Sequence, residues 1–499
     1  MKYYVTTPIY YPSGKLHLGH VYSTVSADVI NRIKKQQGYE SYFLTGMDEH
    51  GEKIQKKAEE QGLTPQQLVD NAEKDIKKLW EILGVEYDMF SRTTDEFHVK
   101  QVQDIFSRLL EQDDIYLGEY KGLYCVSCET YVTETQAKKH KCPDCNGELK
   151  EVTEETYKFR CSKYQDQVKE MIEKDIINIE PKSRKNELLN SFFDKGIPDL
   201  AVTRTNFSWG IPVKENPKHV IYVWLDALTN YITTPKEKGL DVWPANIQIM
   251  GKEITRFHAI YWPMFLLALN LPMPDKLFAH GWLLMNGEKM SKSKKNVIYP
   301  EFLVENYSSD AVRYFLLREI PFGSDGVFTP SSFVNRYNGD LVNEFSNLFN
   351  RSVSMANKYF GGEVTDSKVE NVHVKELLET KERVVVSRET EINNFSFSKD
   401  LELIWSYVKA TNKFIDLTEP WILAKEEDES ELATVIYNLL LNIRNIAEMV
   451  SPYMPNAGKY IMDSIIVEGD TIKVPQKVDI IFNRLDEEVE IKRINESMV

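Results

Sequence analysis

The chain has 499 residues, of which 42% are apolar and 11% aromatic, and a formal net charge of -15 at pH 7. That length exceeds a single hydrophobic core, so roughly two to four domains are expected, and the apolar content excludes a disordered chain. The acidic balance excludes a protein that coats nucleic acid indiscriminately, while leaving room for a nucleic-acid enzyme with a local basic face.

Residues 1–14 carry no cationic stretch followed by an apolar one, so no export signal is expected and the protein is expected in the cytoplasm. Residues 3–7 read as a short strand and residues 10–14 as a turn-rich loop. From 18 to 37, Val21, Val25, Val29 and Ile33 recur every four residues, which is one helical stripe, and Gly38 closes it. Residues 42–45 read as a second strand. Strand, helix and strand in that order suggest a parallel, Rossmann-like sheet. Residues 47–52 then fall at the C-terminal end of the second strand, where such sheets bind ligands. Residues 118–212 look different, with many charges and little regular period. Alternation resumes at 219–225. Residues 247–250 read as a strand and 254–269 as a helix with Phe257, Tyr261 and Met264 on one side and a kink at Pro263. The longest greasy run, 262–271, is far short of the roughly 20 residues that span a bilayer, so no membrane partner is expected. Residues 278–284 read as a further strand. The pattern is one α/β domain split by an insertion. From 334 onward long amphipathic helices follow, at 341–359, 376–393, 401–417 and 431–450, which suggests a separate helical bundle.

Three sequence features carry chemistry. His17-Leu18-Gly19-His20 lies between the first strand and the first helix. Both imidazoles are therefore near a helix N-terminus, whose N–H groups and partial positive charge suit phosphate. Gly19 permits a nucleotide to approach the backbone closely. The second feature is Lys289-Met290-Ser291-Lys292-Ser293, just after the Asn286-Gly287 turn. A loop with spaced lysines can close on a triphosphate and neutralise charge on leaving pyrophosphate. Either motif alone also suits an ordinary surface. The third is the cysteine pattern. Of five cysteines, Cys125 and Cys128 form one C-x2-C pair and Cys142 and Cys145 another, thirteen residues apart. Two such pairs can chelate one tetrahedral zinc, and four thiolates leave no open position for water, so the site would be structural. Cys161 is left over.

The two signatures together resemble those of class I aminoacyl-tRNA synthetases: HLGH stands where that family has HIGH, and KMSKS matches letter for letter. The segments TTPIYYPSGKLHLGH, FLTGMDEHGEK, IYVWLDALTNY, GKEITRFHAIYWP and FAHGWLLMNGEKMSKSKKN are similar to the methionine-specific branch of the family. The resemblance runs from about residue 3 to about residue 424. It implies a Rossmann-like catalytic domain in two halves, 1–115 and 222–288, split by a zinc-knuckle insertion at 116–221. A KMSKS and stem-contact region at 289–343 and an all-α anticodon-binding bundle at 344–499 would follow.

The resemblance also implies roles for individual residues. His17, His20, Lys289 and Lys292 would be catalytic. ATP, brought with Mg2+, would meet His17, Gly19, His20, Gly251, Glu253 and Lys292; many family members have Asp where Glu253 stands. Methionine would lie among Ile9, Tyr11, Asp48, Trp224, Ala227, Leu228, Tyr231, Phe257, His258 and Trp262, with the Asp48 carboxylate and Tyr11 on its ammonium. Soft aromatic and aliphatic walls suit an unbranched thioether, although each aromatic singly also suits ordinary core. Arg204 matches an arginine near the substrate carboxylate and equally suits a structural ion pair. Asn347 and Arg351 lie four apart on one helical face, and with Trp421 they match positions that read the anticodon; a Trp face stacks an unstacked base. The implied reaction has two steps. Methionine attacks the α-phosphorus of ATP to give methionyl-adenylate and pyrophosphate, and the terminal adenosine of the tRNA then takes the methionine. The implied partners are initiator and elongator methionine tRNAs, and a monomer is expected. Three other readings exist. The leucine, isoleucine or valine enzymes carry a larger editing insertion, nucleotidyltransferases lack the tRNA-reading domain, and a non-catalytic tRNA-binding module would have degraded signatures.

Overall fold

The computed structural model describes the whole chain except residues 126–129, 133–136, 138–139, 144–146, 194–195, 222, 291–294 and 428. It divides into two compact units, Met1–Glu81 with Val85–Gly281, and Ile82–Gly84 with Trp282–Val499.

The first unit is built on six parallel strands: β1 (Lys2–Tyr10), β2 (Glu40–Met47), β3 (Met89–Arg92), β4 (Asn178–Glu180), β5 (Ile247–Gly251) and β6 (Lys276–His280). Their spatial order is β3-β2-β1-β5-β6-β4. Helix α1 (Leu18–Gln36) connects β1 to β2. Its stripe Val21, Val25, Val29 and Ile33 is buried, as the four-residue recurrence predicts. The winding changes direction between β1 and β5, so the crevice at their C-terminal ends is the topological switch point. β1 runs three residues further than the expected strand and carries one extra residue between Thr6 and Ile9 relative to β2. Pro8, which has no N–H to give a ladder, falls in this irregularity. A bulge of this kind re-aims the side chains that follow it, here Ile9 and Tyr10.

The insertion is more regular than its sequence suggests. Ile115–Cys125 and Lys150–Phe159 pair antiparallel along their whole length, flanked by Thr130–Val132 and Leu200–Ala201. The ends of the Ile115–Cys125 strand are buried, but residues 116–122 alternate only between half-buried and exposed. Apolar alternation, the usual strand signal, is therefore missing. The alternation at 219–225 does not mark one long strand. Among the described residues Val220–Ile221 is extended, and a helix, α2 (Val223–Glu237), follows. The expected helix over 254–269 is helical as far as residue 268 but changes type along its length. A single turn at Lys252–Ile254 leads into a wide π-helical turn at Phe257–Tyr261 and then an α-helix at Trp262–Ala268. Pro263 is the second residue of this α-helical segment, directly after the π-helical turn.

The second unit opens with a hairpin. Leu284 and Met285 pair with Lys289 and Glu288. Asn286 and Gly287 between them both have positive φ, 50° and 85°, the mirror-image turn that Asn-Gly favours. Helices Val372–Asn393, Phe397–Thr418 and Ser430–Val450 follow the predicted periodicity. The one expected at 341–359 is split into a π-helical stretch, Tyr337–Ser346, and an α-helix, Asn347–Phe360. No helix among the described residues is long and apolar enough to cross a membrane.

Candidate active site

His17 to His20, at the start of α1, and Gly251, at the end of β5, stand at the C-terminal edge of the parallel sheet. His17 caps α1: its Nδ1 accepts the Gly19 N–H at 3.1 Å, and His20 Nδ1 accepts the His17 N–H at 3.1 Å. This reciprocal cap fixes both rings, whose centroids are 4.1 Å apart. With Nδ1 accepting, each neutral ring must carry its proton on Nε2. Burial holds both imidazoles below the ordinary histidine range, and for His20 the neighbouring His17 adds to the effect. The HLGH segment therefore offers two neutral N–H donors at a helix N-terminus, a cradle for phosphate oxygens. Gly19 has a second reason to be glycine, since a Cβ there would lie 2.9 Å from His17 Cε1 and would push the ring out of its cap.

No local motif marks His280, at the end of β6. Its Nδ1–H donates to the Gly281 carbonyl at 2.7 Å, and its Nε2 accepts from the Ser23 hydroxyl of α1 at 2.6 Å. Burial lowers its pKa also, while the Glu253 carboxylate acts in the opposite direction on both His17 and His280. Gly251 and Glu253 stand at the end of β5, beside the switch point. The Glu253 carboxylate folds so close to Gly251 that a Cβ there would meet Oε1 at 2.5 Å.

The expected amino-acid pocket is a set of connected contacts. Trp224 and Phe257 stack with centroids 3.5 Å apart. Tyr231 packs against Trp262, and its hydroxyl donates to His258 Nε2 at 2.8 Å. His258 Nδ1 donates to the Ile254 carbonyl at 3.1 Å, which fixes the tautomer. Burial lowers the His258 pKa to about 4, so this ring is a neutral acceptor. Ala227, Leu228, Tyr231, Phe257, His258 and Trp262 are all buried, and Trp224, Ile9 and Tyr11 partly so. Tyr11 packs on the cluster of Ile54, Ala58, Leu68 and Val69. Asp48 is buried and its N–H donates to the Tyr10 carbonyl at 3.0 Å.

The loop that carries Asp48 is held from several sides. The Glu49 N–H donates to Thr93 Oγ1 at 2.9 Å, the Glu49 carbonyl accepts from the Trp209 indole at 2.6 Å, and the Glu49 carboxylate accepts from Arg92 Nε at 2.7 Å. The Gly51 N–H donates to the Trp209 carbonyl at 3.0 Å. The DEHG segment hints at this network, but Arg92 and Trp209 lie too far along the chain for spacing to find them.

Arg204 is fully buried. It pairs with Glu154 at 2.9 Å and lies over the Tyr124 ring at 4.0 Å, so of its two readings the geometry carries the structural ion pair. Cys161 is buried and burial pushes its thiol pKa up, consistent with an inert residue. Cys125 and Cys142 share one small buried cluster with Leu123 and Val132; Cys128 and Cys145 lie outside the described residues. Among the described residues no group of three or more His, Cys, Asp or Glu could hold a metal. In the second unit Lys289 places its ammonium 3.2 Å from the centre of the Trp282 ring, while Lys292 lies outside the described residues. Asn347, Arg351 and Trp421 are all exposed there.

The family model for class I tRNA synthetases of the M type matches residues 3–155 and 146–353. The chain belongs to this family. The methionine–tRNA ligase of Clostridium tetani is 45% identical over 99% of this chain and 80% of its own length. That of Oceanobacillus iheyensis is 49% identical over 93% of this chain and 72% of its own. Among solved structures, Mycobacterium tuberculosis methionyl-tRNA synthetase in complex with methionyl-adenylate has a TM-score of 0.89 at 36% identity, covering 93% of both chains. The free form of that enzyme has a TM-score of 0.84 at 32% identity, covering 97% of this chain and 98% of its own.

Proposed function

We infer that this chain is a methionine–tRNA ligase, which activates methionine with ATP and transfers it to tRNA. The observation that supports this reading is the reciprocal His17–His20 cap at the switch-point end of α1, in a chain that also holds the buried aromatic cluster Trp224–Phe257 and Tyr231–His258–Trp262. His17 and His20 donate Nε2–H to phosphate oxygens as charge develops on the α-phosphorus, and Lys289 and Lys292 neutralise the departing pyrophosphate. Mg2+ accompanies ATP and shields its phosphates. Gly251 lets the ribose approach, and Glu253 accepts from its hydroxyls. The Asp48 carboxylate and Tyr11 hold the methionine ammonium, while Trp224, Phe257 and Trp262 with Ile9, Ala227 and Leu228 surround the thioether.

A structural zinc on Cys125, Cys128, Cys142 and Cys145 belongs to the same proposal. Its support is the cysteine spacing and the burial of Cys125 and Cys142 in one cluster. These thiols fit a closed tetrahedral site that would brace the insertion. Asn347, Arg351 and Trp421 read the anticodon of initiator and elongator methionine tRNAs; their exposure supports this. A cytoplasmic monomer completes the reading. The test is amino-acid-dependent ATP–pyrophosphate exchange with each standard amino acid, without tRNA. Methionine alone should drive exchange. Exchange driven by another amino acid would overturn the pocket assignment, and none at all would overturn the catalytic one.

A further inference from the structure

Behind the pocket lies a fully desolvated charge network that the reaction as described does not use. Asp226, on α2, is completely buried. Its Oδ2 accepts from His50 Nδ1 at 2.7 Å and its Oδ1 from His98 Nε2 at 2.8 Å. His98 Nδ1 lies 2.8 Å from Thr233 Oγ1, also on α2, so with Nε2–H committed to Asp226 the Thr233 hydroxyl donates to it. His98 and Thr233 are buried as well. Burial alone would raise the Asp226 pKa, but His50 and His98 outweigh it and hold the carboxyl below its ordinary value. An ionised carboxylate in such a place persists only when its lone pairs are taken up, and two imidazole donors do this here.

The network joins three segments that do not neighbour one another in sequence. His50 is two residues after Asp48, in the loop that ends β2. His98 is on helix Glu96–Glu111, which packs on α2. Asp226 lies between Trp224 and the pair Ala227 and Leu228 on α2. The separation between the carboxylate that would hold the substrate ammonium and the walls that would hold its thioether is thus set through one buried anion.

We propose that His50, Asp226 and His98 are positioning residues that fix this separation, and through it the enzyme's affinity for methionine rather than for ATP. The inference rests on the methionine-pocket reading given above. A bridge that merely held the fold together would affect both substrates alike, whereas this one touches only the amino-acid side.

The experiment is pyrophosphate exchange, with KM for methionine and for ATP measured separately in His98→Ala, His98→Gln, Thr233→Val and Asp48→Asn. Loss of a hydrogen bond to a buried charge should raise KM for methionine about tenfold or more in His98→Ala, with KM for ATP and kcat within about twofold. His98→Gln, whose amide N–H reaches the same distance as Nε2, should restore KM for methionine to within about threefold. Equal movement of both KM values, or none, in His98→Ala would overturn the proposal. If His98→Ala does not fold, Thr233→Val decides: a rise in KM for methionine alone supports the network, and unchanged or equally changed KM values overturn it. Asp48→Asn separates the two readings. If it leaves KM for methionine unmoved, the pocket itself is misplaced. If it raises that KM while the His98 and Thr233 variants do not, the pocket stands and the positioning role falls.

Discussion

The pocket imidazole His258 makes acid stability a direct test of the geometry. Burial lowers its pKa from the ordinary 6.5 to about 4. Because the folded value lies below the unfolded one, the unfolded chain binds a proton more readily between those two values. His258 therefore favours the fold fully above about pH 6.5, and this contribution is lost as pH falls toward 4. At about 1.4 kcal/mol per pH unit the whole gap corresponds to about 3 kcal/mol. His258→Gln removes the titration, while the amide oxygen can still accept the Tyr231 hydroxyl. It forfeits the bond to the Ile254 carbonyl, which should cost about 1 kcal/mol at pH 7. Urea midpoints followed by tryptophan fluorescence between pH 7 and pH 4 should show the wild type losing stability more steeply than the variant. The two curves should converge or cross near the acid end. Parallel curves over the whole range would refute the account of a neutral His258 held by Tyr231 and Ile254. The buried His17, His20 and His280 also titrate low. They add to the slope in both proteins and leave the difference intact.

Three further outcomes follow from the same geometry. Gly19→Ala would place a Cβ against His17 Cε1, so KM for ATP in pyrophosphate exchange should rise about tenfold, the scale of one weakened hydrogen bond to a charged group, with KM for methionine little moved. Metal analysis of the purified protein should give one zinc per chain, and Cys125→Ser or a strong chelator should lower both that content and the melting temperature. Trp421→Ala should reduce tRNA charging by about tenfold, the loss expected for one stacked base, and leave tRNA-independent pyrophosphate exchange unchanged.

Much of this protein was legible in its sequence because its determinants are local. The stripe of Val21, Val25, Val29 and Ile33 places α1, and Asn286-Gly287 places a tight turn, because periodicity and turn chemistry act over a few residues. HLGH falls at a helix start for the same reason, and its capping geometry needs only the four residues themselves. The antiparallel ribbon escaped notice because the middle of its first strand, 116–122, has no fully buried side chain to impose an apolar alternation. The π-helical turn before Pro263 escaped because wide and ordinary turns share nearly the same apolar spacing.

What only the tertiary structure decided are contacts between groups distant in the chain. His280 reaches Ser23 across 257 residues, and His50 reaches Asp226 across 176. The order β3-β2-β1-β5-β6-β4, which sets β1 beside β5 and so brings HLGH to the Gly251 turn, is likewise absent from any local pattern. Local sequence fixes which groups can cap, turn or bury. Which of them become partners depends on how the sheet is wound, because a buried charge or imidazole can find its counterpart only once the chain has closed around it.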